Sequence, residues 1–120
     1  MLRIQISLVT LFLSISLFSF VFGATSDQVK VSSTSNYVDN LKFFHVTGEV
    51  INGLPNVITS VQVFGVFYDA DNKIVGTGFT YAEPQTIAPG GNASFDLPLA
   101  EEISISQEKI QNYSVQAYYQ

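Results

Sequence analysis

His45 is the only side chain in this sequence whose ordinary pKa suits proton transfer near neutral pH. To serve a Ser or Thr nucleophile it would need an acid beside it and an oxyanion hole. It lies mid-strand between Phe44 and Val46, pointing away from the apolar face, and reads as a surface strand residue. An enzymatic role therefore requires His45 to face two carboxylates within hydrogen-bond reach. Paired carboxylates ~5–9 Å apart can cut glycosidic bonds. The acids here fall mainly in a turn (Asp69, Asp71) and a surface pair (Glu101, Glu102), which implies no cleft. The turn Asp69-Ala70-Asp71-Asn72 begins like an EF-hand loop. Lys73 in the fifth place, Ile74 in the sixth where glycine is required, and Thr80 in place of the terminal glutamate exclude that motif. Asp69, Asp71 and Asn72 remain weak candidates for a surface calcium site. No catalytic residue and no cofactor are expected.

Cysteine is absent, which removes zinc–thiolate, iron–sulfur and thiol chemistry. All ten acids lie beyond residue 23, against Lys30, Lys42, Lys73 and Lys109, so that part of the chain carries ten minus four, or six, net negative charges and no arginine. Nucleic-acid binding needs clustered Arg or Lys on a phosphate-facing surface, so nucleic acid is not an expected partner. The acidity serves solubility. Two sequons, Asn92-Ala93-Ser94 and Asn112-Tyr113-Ser114, make Asn92 and Asn112 glycan-acceptor candidates if the chain is exported from an archaeal cell.

The elements that must position these groups begin after residue 23. Val29 and Val31 suggest an edge strand within a polar leader, residues 24–42. Phe44, Val46 and Val50 then share one strand face, opposite His45, Thr47 and Glu49. Asn52-Gly53-Leu54-Pro55-Asn56 breaks the run. Residues 60–68 are apolar on both faces, with Val61, Val63 and Phe67 against Phe64, Val66 and Tyr68. Such a strand is either covered twice or displays a partner-binding face. Asp69 caps the next turn and Asn72 tolerates its left-handed position. Gly76 and Gly78 mark a bulge or close approach in the returning strand. Pro89-Gly90 sets a turn whose second residue needs positive φ. Strands follow at residues 93–97 and 113–119, and residues 100–110 read as a strand with a loop or a short helical turn. Six or seven short strands separated by turn residues predict an all-β antiparallel sandwich for residues 43–120. Of the six Phe and six Tyr beyond residue 23, alternation sends Phe64, Tyr68, Tyr81 and Tyr118 outward.

The first 23 residues are of another kind. Arg3 precedes an apolar run through residues 4–22, and Val21-Phe22-Gly23 fits a cleavage site after Gly23. Two readings stand, a signal peptide or an uncleaved N-terminal membrane-anchor helix. Nineteen residues at ~1.5 Å each just reach across a ~30 Å hydrocarbon layer. Either way Arg3 directs the rest of the chain outward, secreted or tethered. No cysteine follows the run, so it is not a lipoprotein signal.

Gly48-Glu49-Val50-Ile51-Asn52, the run from Val61 through Phe64, Gly65, Phe67 and Tyr68 to Asp69, Ile74-Val75-Gly76-Thr77-Gly78, Ile87-Ala88-Pro89-Gly90 and Phe95 together resemble the FxLYD domain family. The chain departs at the name-giving motif, where Gly65 stands in the place of the first aromatic and Phe67 in that of the leucine. The resemblance implies an immunoglobulin-like sandwich in exported or membrane-attached prokaryotic proteins, without established catalytic activity. Gly48, Asn52, Tyr68, Asp69, Gly76, Pro89, Gly90 and Phe95 are its motif residues, with mostly scaffold roles.

The expectation is a non-catalytic module for interaction or structure at the cell envelope, with an envelope protein or glycan as partner. The alternative is a ligand-binding accessory domain, using the turn at residues 69–72 for calcium or an aromatic sheet face for glycan.

Overall fold

A computed structural model describes residues 23–99 and 110–120. Residues 1–22 of the signal or anchor segment, the Glu101 and Glu102 pair, and all of the ambiguous stretch 100–110 but its last residue lie outside the described residues. Among the described residues there are six strands and no helix. They are β1 (Val29–Val38), β2 (Phe44–Asn52), β3 (Gln62–Tyr68), β4 (Ile74–Tyr81), β5 (Asn92–Pro98) and β6 (Asn112–Tyr118). They form two three-stranded sheets, ordered β1-β2-β5 and β4-β3-β6, and every pairing is antiparallel.

The two sheets share one core because alternation turns one face of each strand inward. Val46 and Val50 of β2, Phe95 and Leu97 of β5, Val63 and Phe67 of β3 and Ala117 of β6 are all buried in it. Phe44 meets Phe67 edge-on at 5.7 Å between ring centroids, and Tyr113 tilts against both rings. Each fully buried Val, Leu or Phe among them contributes about 1.5–3 kcal/mol. Ile58 and Ile87 extend the core into the loops, exchanging backbone bonds of 3.1 and 2.9 Å.

The polar leader expected to hold an edge strand at Val29 and Val31 does hold it, and the strand runs farther than those two residues, through Val38. Residues 29–38 pair with β2 along their length, interrupted by a register shift between Ser32 and Ser35 where Ser33 takes φ 55°. Cross-strand backbone bonding needs no apolar side chains, so an edge strand with one buried anchor, Val29, can be polar elsewhere. The bulge also interrupts the exposed edge, where continuous pairing would invite other chains.

β3 is central in its sheet. Val63, Gly65 and Phe67 are buried on one face, and Phe64, Val66 and Tyr68 are half-buried on the other. The irregularity expected near Gly76 falls there, since Phe67 pairs with Gly76 and Tyr68 with Ile74. Gly65 lies beneath the facing sheet: a Cβ there would come within 2.4 Å of Leu97 Cδ2. The space that an aromatic would need at this position is filled by Leu97.

Candidate functional site

Two of the hairpin turns have the same construction. Asp39 and Asp69 each open a turn by donating their N–H to the residue four positions on, Phe43 O at 3.0 Å and Lys73 O at 2.9 Å. Each accepts at its carbonyl from the residue three on, Lys42 N at 3.0 Å and Asn72 N at 3.1 Å. Each carboxylate also takes two N–H bonds on Oδ1, from Leu41 and Phe43 in the first turn and from Asp71 and Lys73 in the second. Lys42 at φ 73° and Asn72 at φ 60° supply the left-handed residue. The pattern is a three-residue hairpin loop stapled by an Asx cap.

In the first turn the second carboxylate oxygen has a further use. Asp39 Oδ2 lies 2.7 Å from His45 Nε2, while His45 Nδ1 lies 2.6 Å from Asp96 Oδ1 on β5. Tyr37 of β1 donates its hydroxyl to Asp96 Oδ2 at 2.6 Å, and its ring stacks on the imidazole at 4.5 Å with 11° between planes. The register explains the convergence. Tyr37 pairs with His45 and Thr47 pairs with Asp96, which brings β1, β2 and β5 side chains together on the outer face of one sheet.

Ionised carboxylates only accept, so an imidazole bonded to two of them donates from both nitrogens and is the cation. Burial opposes that charge most strongly, yet the two hydrogen bonds and the two negative charges together outweigh it, and the His45 pKa is raised above 6.5. The bond from His45, helped by the N–H of Phe43, holds the Asp39 carboxyl below its ordinary range. Donation to Asp96 pushes the Tyr37 hydroxyl up.

His45 thus lies on the outward face, as its alternation requires, but it is no simple solvated surface residue. It faces two carboxylates within hydrogen-bond reach, the condition set for an enzymatic role. The geometry nevertheless makes it a clamp. An imidazole donating from both nitrogens has no lone pair with which to take a proton, so acting as a base requires it first to give up one of its two N–H protons, against the hold of both carboxylates. Sequence reasoning missed the cluster because Asp96 is 51 residues from His45, and because a lysine hides the left-handed position of the Asp39 turn.

The other sequence-selected residues are dispersed. Asp69 caps its turn, and Asp71 and Asn72 are exposed beside it. Asp69 Oδ1 is engaged by backbone, and among the described residues no three His, Asp or Glu side chains gather to hold a metal. Asn92 and Asn112 are exposed at the first positions of β5 and β6. Asn92 Nδ2 donates to Glu49 at 3.3 Å. Gly48 pairs with Phe95, whose ring would meet a Cβ at 2.9 Å. The Tyr68 hydroxyl lies 3.3 Å from Ser114 Oγ. Gly90, after Pro89, takes φ 74° in a turn closed by Gly91 N to Ala88 O at 2.9 Å.

Asn52 is the one buried polar side chain among the described residues. Its Nδ2 donates to the carbonyls of Asn56, Ile87 and Ala88, and its Oδ1 accepts from Leu54 N. It ties two loops together at the end of β2. Gly23 lies against the last strand, and Ala24 exchanges backbone bonds of 2.8 and 3.0 Å with Tyr119. Cleavage after Gly23 would leave that exchange in place, with the new terminal amine as its donor.

Of the aromatics expected outward, Tyr81 is 45% exposed, Phe64 and Tyr68 are half-buried, and Tyr118 is buried. Phe79, not foreseen, is 53% exposed and meets Tyr81 edge-on at 6.3 Å. Between the edges of β4 and β5 runs an open groove of about 520 Å³, lined in part by Thr80, Tyr81, Glu83, Gln85, Ser94 and Asp96. In comparisons with known proteins, no family model, no curated protein and no solved structure matches this chain.

Proposed function

We propose that this chain acts outside the cytoplasm as a non-catalytic binding module at the cell envelope. In this reading the N-terminal segment is its signal or anchor helix, and the two sheets form an immunoglobulin-like sandwich of the FxLYD kind. The observation that carries the non-catalytic reading is the closure of His45. The only imidazole in the chain is spent between Asp39 and Asp96, holding three strands together. Binding is supported by the β4 edge, where Ile74, Phe79 and Tyr81 expose apolar surface along one strand. Exposed aromatics of this kind dock protein partners or stack on sugar rings.

A ligand-binding accessory role is the second reading, favoured by the groove that Tyr81, Glu83 and Asp96 all line. Calcium is the weaker form of it, because Asp69 Oδ1 already serves two backbone N–H groups. The test is to display the full chain on its native host and probe intact cells with envelope extracts and glycans. A module of this kind is reached from outside and retains a partner. A strictly monomeric protein that retains nothing overturns the proposal.

A further inference from the structure

We propose that the groove between β4 and β5 is a saccharide site, with Tyr81 as the stacking platform and Asp96 and Glu83 as hydroxyl acceptors. This rests on the reading of the chain as a binding module and names the ligand class and the place. Each lining group suits an uncharged sugar. Tyr81 offers a half-exposed ring for the apolar face of a pyranose. Glu83 and Asp96 accept from hydroxyls, and Gln85 and Ser94 both donate and accept. The lining holds no Lys or Arg and two carboxylates, which disfavours phosphates and acidic ligands. Strand addition by a peptide is blocked at the middle of the β5 edge, since Ser94 already exchanges bonds of 2.9 and 2.8 Å with Glu83. The volume of about 520 Å³ falls within the roughly 300–1,000 Å³ of small-molecule sites.

The second, independent observation is the support behind Asp96. His45 holds its Oδ1 and Tyr37 holds its Oδ2, so the carboxylate is fixed at both oxygens. Each oxygen keeps a further acceptor position, and the side chain remains 49% exposed. A carboxylate locked by two neighbours and open on its remaining side is the arrangement that a pre-organised binding group requires. Tyr37 is a positioning residue here, acting through Asp96.

The full-length protein is titrated with cello-, manno- and chito-oligosaccharides, followed by tyrosine fluorescence and saturation-transfer NMR. At least one series binds, and Tyr81→Ala and Glu83→Gln each weaken it about tenfold or more with an unchanged Tm. Tyr37→Phe weakens it several-fold while leaving the stacked ring in place. The inference is overturned if none of the three series binds, or if binding survives in both Tyr81→Ala and Glu83→Gln. If no saccharide binds but the immobilised chain retains an envelope protein, the groove fails and the binding-module reading stands. If saccharide binds through these residues while the protein stays in the cytoplasm, the groove stands and the envelope reading fails.

Discussion

His45 donates to Asp39 across 2.7 Å, and through this bond the second strand grips the turn that delivers it. The same carboxylate caps the turn by taking the N–H groups of Leu41 and Phe43. A change in the charge of His45 is therefore felt by the backbone geometry of the β1–β2 hairpin as well as by β5.

The pH dependence follows from the two shifts. The His45 pKa is raised above 6.5, so its contribution to stability is full below 6.5 and is lost as pH rises through the folded value. The Asp39 pKa is lowered below 3.8, so its contribution is present above 3.8 and is lost as pH falls through the folded value. Charged groups facing the imidazole are Asp39 from the turn and Asp96 from β5, with Tyr37 from β1 and Glu49 farther along the same face of β2. Thermal melts against pH should show a plateau between these limits and an alkaline decline. His45→Gln removes that decline. The lone histidine's NMR titration midpoint lies above 6.5; a midpoint at or below that value contradicts the clamp.

Asp39 and Asp69 cap equivalent turns but only Asp39 binds an imidazole, which allows a paired comparison. Asp39→Ala lowers Tm more than Asp69→Ala at pH 6. The gap narrows once the pH exceeds the His45 folded pKa, because the extra partner is then neutral. Equal losses at pH 6 would show that the turn cap is the whole contribution of Asp39.

Asn52→Ala removes a wholly buried side chain and with it the partner of Asn56 O and Leu54 N, while Ile87 O and Ala88 O keep the backbone donors Ile58 N and Gly91 N. Leaving the first two unsatisfied costs about 1–3 kcal/mol. For a domain of this size that corresponds to a Tm lower by roughly 5–20 °C in calorimetry. Asn52→Asp fares no better, since a carboxylate cannot donate.

Gly65→Ala places a methyl group 2.4 Å from Cδ2 of the fully buried Leu97, so the Leu97 side chain must shift within the core. Overpacking of this sort costs about 1–3 kcal/mol. Combining it with Leu97→Val should cost less than the two single changes summed, as denaturant melts would record.

Much of the scaffold was legible because strand alternation and turn chemistry are local. Val46 and Val50 faced inward as their spacing requires, Asn72 took the left-handed angle, and Gly90 the positive φ. The ten-residue β1 was read only as an edge strand at Val29 and Val31 within a polar leader, because its other side chains carry little apolar signal and the pairing that extends it comes from β2. The histidine cluster was hidden for a related reason. Asp96 reaches His45 only through the register of β2 on β5, and Asp39 only through a turn whose left-handed residue is a lysine. Local pattern shows which face a residue occupies, not which distant residue shares it.

The central claim, that this is a binding module presented outside the membrane, is tested most directly by adding protease to intact cells of the native host and following the full-length chain. Digestion of the domain at the cell surface, or its recovery from the medium with a mass consistent with loss of residues 1–23, is the predicted result. A chain that is degraded only after cell lysis, with the hydrophobic segment still attached, would contradict it.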